Sequence, residues 1–97
     1  MHTQSMWRAV HASVLAAQGQ PADAEHYARE GVEFAERTDD TNAIADAHVV
    51  LGGVLARRGN TEAARAELSH ALELYERKGN LVGVDQVRAQ LAPLARV

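Results

Sequence analysis

The chain has 97 residues, room for one small domain, and its formal net charge of -3 argues against broad attraction to nucleic acid or an anionic membrane surface. Apolar residues make up 46%, too many for a disordered chain, and much of that fraction is alanine, the best helix former. Cysteine is absent, which excludes a disulfide framework and a thiolate zinc site. No apolar run approaches the roughly 20 residues that span a bilayer.

The start, Met1-His2-Thr3-Gln4-Ser5, lacks the basic and apolar regions of a signal peptide, so a cytoplasmic setting is expected. Five helices and no strand are predicted. The first covers about residues 3–18 and carries Met6, Trp7, Ala9, Val10 and Ser13. Trp7, the only tryptophan, is expected to pack on Tyr27 or Phe34 of the next helix, with an interface as the alternative. Gly19-Gln20-Pro21 forms a turn. Glycine tolerates the left-handed conformation that ends a helix, and proline suits a first helical position. The second helix, about 21–37, presents Ala24, Tyr27, Ala28, Gly31 and Ala35 on one face.

Asp39-Asp40-Thr41-Asn42 then supplies caps for the third helix, about 41–58, whose apolar stripe is Ile44, Ala47, Leu51, Val54 and Leu55. Gly59-Asn60-Thr61 is the next turn, with Asn60 as N-cap of a fourth helix over about 61–78 bearing Ala64, Leu68, Ala71, Leu72 and Tyr75. Gly79-Asn80 repeats the device before a final helix, about 81–95, with Val84, Val87 and Leu91 as its stripe. Glu25/Arg29, Glu33/Arg37 and Glu73/Arg77 are spaced i, i+4 in the favourable order and mark solvent faces.

The chain repeats itself. Ser5 to Thr38 aligns without a gap on Ala45 to Lys78, a shift of 40. Identities include Val14/Val54, Leu15/Leu55, Ala16/Ala56, Gly19/Gly59, Ala24/Ala64, Glu36/Glu76 and Arg37/Arg77. They fall on helix faces, turns and ends, where a repeated architecture constrains residues. One domain over 1–97 is expected: repeat 1 over about 5–40, repeat 2 over about 45–80, and a terminal capping helix over about 81–95.

Leu51-Gly52, Leu55, Gly59, Ala64, Leu68 and Ala71-Leu72, with Ala12, Leu15, Gly19, Ala24, Ala28 and Gly31 in the first copy, resemble the tetratricopeptide repeat pattern. Small residues stand where antiparallel helices approach closely. The resemblance implies an all-α fold, a right-handed α-α superhelix (a TPR-like solenoid) of about five antiparallel helices. The period of 40 departs from the family's usual length of about 34 and resembles its longer-helix variants. The stretch Ala71-Leu72-Glu73-Leu74-Tyr75-Glu76-Arg77-Lys78-Gly79-Asn80 is similar to the end of C-terminal repeat regions in large bacterial signalling and transcription regulators.

The family's peptide-binding members line a concave groove with the first helix of each pair. Carried over, that face is Met6, Ala9, Ser13, Ala16 and Ala17, then Asp46, Val49, Gly53, Ala56 and Arg57. Its small, apolar character disfavours a clamp for a terminal carboxylate, which needs lysine, arginine and asparagine. It suits an apolar helix or extended segment, or packing within the solenoid itself. From this face Met6, Ala9, Ser13, Asp46, Val49, Gly53, Ala56 and Arg57 are the candidate partner-binding residues.

Five histidines, His2, His11, His26, His48 and His70, form no HExxH or similar cluster and read as helix-surface residues, with a His11–His48 approach the pairing to check. Glycines are isolated, so no phosphate loop is expected. Ser5, Ser13 and Ser69 lack a recognisable base, and Asp39 and Asp40 serve capping better than acid–base chemistry. The expected function is a protein-interaction scaffold, not an enzyme, without cofactor or metal. It belongs to, or partners, a larger regulatory protein and binds a protein or peptide segment, not nucleic acid or membrane. The competing readings are self-association, with an apolar patch from Met6, Trp7, Val10 or Val49 left uncovered in the monomer, and a small histidine-dependent metal site or enzyme.

Overall fold

Three glycines break the chain into helices. Gly19, Gly59 and Gly79 have φ of +77°, +82° and +76°, values that side-chain-bearing residues rarely adopt. In a computed structural model, which describes residues 19–94, they separate or precede α1 (Pro21–Glu36), α2 (Thr41–Arg57), α3 (Thr61–Lys78) and α4 (Leu81–Leu94). No strand occurs among the described residues. The expected bounds hold to within a residue at each end of these four helices. The predicted helix over 3–18 lies outside the described residues, as do Met6, Trp7, Ala9, Val10, His11 and Ser13.

Local chemistry explains each boundary. At the end of α2 the Gly59 N–H donates to the Ala56 carbonyl at 3.0 Å and the Asn60 N–H to the Leu55 carbonyl at 2.9 Å. At the end of α3 the Gly79 and Asn80 N–H groups return to Glu76 and Tyr75 at 3.1 and 2.9 Å. Such closure satisfies carbonyls that the helix leaves without partners. Next, an Asp or Asn caps the helix that follows. Asp40 accepts from the Ala43 N–H at 3.0 Å, Asn60 from Ala63 at 3.4 Å and Asn80 from Gly83 at 3.0 Å. Each cap contributes about 1 kcal/mol. α1 has no side-chain cap and begins at Pro21, whose missing N–H costs nothing there. The α1–α2 link lacks glycine. There the Thr38 hydroxyl donates to the Ala35 carbonyl at 2.7 Å and accepts from the Asp40 N–H at 3.3 Å.

Each helix packs on the next, α1 on α2, α2 on α3 and α3 on α4. The connections are short, so neighbours run antiparallel. The helices fill 31 × 31 × 17 Å. The thin dimension fits two helix layers at an interaxial distance of about 8–10 Å. One buried cluster joins Ala24 and Ala28 of α1, Leu51, Val54 and Leu55 of α2, and Ala64 of α3. A second joins Ala45 of α2, Leu68, Ala71, Leu74 and Tyr75 of α3, and Val84 and Val87 of α4. Leu55, Leu68 and Val87 are the largest fully buried side chains. Each contributes about 1.5–3 kcal/mol by leaving water.

Close approach explains the small residues. A β-carbon built on Gly52 would lie 2.8 Å from Leu68 Cγ and 3.4 Å from the Ala64 carbonyl oxygen, so α2 and α3 nearly touch there. Ala64 is fully buried at this crossing, as expected, and its repeat mate Ala24 is fully buried as well. The chain is thus an all-α, tetratricopeptide-like helical repeat.

Candidate functional site

α2 carries two faces of different character. One holds Asp46, Val49, Gly53, Ala56 and Arg57, the described part of the predicted recognition face. Asp46 and Arg57 are exposed, whereas Val49, Gly53 and Ala56 are half-buried. Among the described residues nothing lies within 4 Å of a β-carbon built on Gly53, so they leave the middle of this stripe open. Val49 packs against the second core cluster and Ala56 against the first. The remaining candidates, Met6, Ala9 and Ser13, lie outside the described residues.

Asp46 has a structural partner that the sequence did not reveal. The Tyr75 hydroxyl of α3 donates a hydrogen bond to its carboxylate. Burial pushes the Tyr75 phenol well above its ordinary value, and the hydrogen bond and charge of Asp46 push it in the same direction. Tyr75 therefore stays a neutral donor and holds Asp46 at one end of the stripe. At the other end, Arg57 is exposed in the last turn of α2, where a cation complements the helix dipole.

The opposite face of α2 corrects one expectation. His48 is not a surface histidine but is 8% exposed, the one polar or charged residue in the described core. It lies five positions before Gly53, about 140° away around the helix. Its Nδ1 is 2.5 Å from Glu67 Oε1 of α3. Its Nε2 is buried without a hydrogen-bond partner among the described residues, 3.9 Å from Glu36 Oε2 of α1. The His70 ring stands edge-on to it, with centroids 4.6 Å apart. His48 thus pairs with His70, while the expected neighbour His11 lies outside the described residues. Around His48 opens a crevice of about 250 Å³, lined by Arg29, Val32, Glu33, His48, Leu51 and Glu67.

The rim carries further charge. Glu25 takes the Arg29 guanidinium at 2.8 Å, as the i, i+4 spacing predicts, and that of Arg58, just past the end of α2, at 3.3 Å. Arg37 instead sits over the Phe34 ring, 5.1 Å from its centroid, in place of the expected pairing with Glu33. His26 and Glu30 approach to 3.7 Å on the exposed side of α1. Among the described residues no three His, Asp or Glu side chains are grouped to hold a metal ion, and no helix is long and apolar enough to cross a membrane. The large apolar side chains most exposed there are Leu81 and Val82, at 75% and 69%, both in the first turn of α4.

No curated protein and no solved structure matches the chain. The model of one family does match, that of the tetratricopeptide repeat, over residues 3–77. Members of this family are helical repeat modules that bind protein or peptide partners and are generally not catalysts. The match takes in α1, α2, almost all of α3 and the preceding segment, and the chain belongs to the tetratricopeptide repeat family.

Proposed function

We propose that this chain is a protein-interaction scaffold that takes an apolar helical or extended segment along the stripe Asp46, Val49, Gly53, Ala56 and Arg57 of α2, continued by Met6, Ala9 and Ser13. The observation that carries the reading is the space that the described residues leave open over Gly53 between half-buried apolar neighbours. A partner's larger side chain fills such space and gains roughly 25 cal/mol per Å² of apolar surface before ordering costs. Asp46 and Arg57, of opposite charge at the two ends, set its direction. The array is read as repeat 1 over about 5–40, repeat 2 over about 45–80 and a capping helix over about 81–95, a segment of or partner to a larger regulatory protein. The 40-residue shift between the copies supports a long-period member of the family.

A second copy of the chain is the competing partner. The exposed Leu81 and Val82 favour it, since neighbouring uncovered apolar side chains mark interfaces more often than isolated ones. A photo-crosslinking residue placed at position 53, in the cell that makes the protein, separates the two. An adduct with another protein, absent when the same residue replaces the exposed Glu62 of α3, supports the scaffold reading. An adduct of twice the chain mass supports self-association. Equal adducts at both positions would remove the α2 stripe as the recognition face.

A further inference from the structure

The crevice on the far side of α2 has no role in the reading above. Its floor is α2, through His48 and Leu51, and its walls are α1 and α3. Two carboxylates line it, Glu33 from α1 and Glu67 from α3, and a third, Glu36 of α1, lies beside His48 with its Oε2 3.9 Å from the ring Nε2. The one cation in its lining, Arg29, is held at the rim by Glu25, which also draws in Arg58. The interior is therefore acidic.

His48 supplies the second, independent feature. With Nδ1 at 2.5 Å from the Glu67 carboxylate, the ring proton belongs on Nδ1, and a neutral ring leaves Nε2 as a buried acceptor. A buried acceptor without a donor is costly, and such groups are rare in folded proteins. Glu36 does not relieve it, because a carboxylate supplies no donor and lies 3.9 Å away, beyond hydrogen-bond reach. His70, edge-on to the ring, completes the titratable groups around it. What the site lacks is a donor that carries positive charge.

We propose that this crevice receives an arginine side chain of a partner polypeptide, one guanidinium edge bridging His48 Nε2 and the Glu36 carboxylate. Two acceptors 3.9 Å apart suit neighbouring N–H groups of one planar guanidinium, which a single ammonium point charge matches less well. Val32 and Leu51 line the same space and cover the methylene stem. A metal ion is the poorer occupant, because no three ligand side chains are grouped to hold one among the described residues. The source of the arginine rests on the chain being a protein-binding module. Occupation of the crevice itself does not.

The test uses the full chain and two short peptides, Ac-Gly-Arg-Gly-NH2 and its citrulline counterpart, which keeps the shape and loses the charge. The His48 ring and the Val32 and Leu51 methyl groups are followed by NMR during titration. The arginine peptide is expected to shift these signals saturably and the citrulline peptide to leave them in place. Glu36→Gln, at a half-exposed side chain, is expected to keep the fold and to weaken the arginine peptide about five-fold through loss of one charge-assisted contact. No saturable shift, equal shifts from both peptides, or an unchanged affinity in Glu36→Gln would each overturn the proposal. Gly53 is on the opposite face, so failure here leaves the α2 stripe untouched, and failure of the stripe leaves this titration standing.

Discussion

The Tyr75 ring of α3 lies so close to Gly83 of α4 that a β-carbon on Gly83 would stand 2.6 Å from ring atoms Cγ and Cδ1. The 40-residue shift, carried past the aligned segment, gives the counterparts of these two positions. Forty residues earlier the same two positions are Ala35 and Ala43. The second copy thus exchanges two small residues for one large and one smaller still. Tyr75 fills the space between α3 and α4 and reaches Asp46 with its hydroxyl, and Gly83 makes room for it.

Gly83→Ala should accordingly destabilise the protein by about 1–3 kcal/mol, because a buried ring cannot swing aside as a flexible chain end can. Gly53→Ala, where no described residue lies within 4 Å, should stabilise it. The gain there is about 0.5–1 kcal/mol from removing a helical glycine. Urea unfolding of the two variants checks the pair; changes of the same sign would contradict the packing described.

Ala64→Leu should overpack the α2–α3 crossing, where Ala64 is fully buried and its carbonyl faces Gly52. The expected cost is about 1–3 kcal/mol. A thermal midpoint equal to the parent's would mean that the two helices do not meet at this point.

Tyr75 makes stability depend on alkaline pH. The folded chain holds the phenolic proton more tightly than the unfolded chain does, because burial and then Asp46 disfavour the phenolate. This contribution is complete below the unfolded phenol's value of about pH 10 and is lost progressively as pH rises above it. Tyr75→Phe should therefore lose less stability than the parent between about pH 9 and 11. Parallel declines in urea midpoint across that range would show that Tyr75 ionises as freely in the folded chain as in the unfolded one.

The helices were legible because their ends are local. Gly59 followed by Asn60, and Gly79 followed by Asn80, place a left-handed residue beside a cap, and the chemistry of each boundary lies within a few residues. Ala64 was legible through its repeat mate Ala24. The environment of His48 was not, because Glu36 and Glu67 come from two other helices. A partial signal was present: His48 follows Ile44 by four and precedes Leu51 by three and Leu55 by seven, so it lies within the apolar stripe of its helix. Asp46 was read only as a residue of the recognition face, since its bond to Tyr75 spans α2 and α3. Gly83 escaped notice because its role appears only when the Tyr75/Gly83 pair is set against Ala35/Ala43.

Recognition along α2 is tested most directly by Gly53→Phe, measured for folding and for binding in one experiment series. The binding partner is the protein that cross-links at position 53. The large ring projects into space that the described residues leave open, so folding stability should stay within about 1 kcal/mol of the parent. The same ring occupies the partner's place, and affinity should fall at least about ten-fold, equivalent to roughly 1.4 kcal/mol. A Gly53→Phe protein that folds as the parent does and binds the partner as tightly would contradict the account and move recognition off this face of α2.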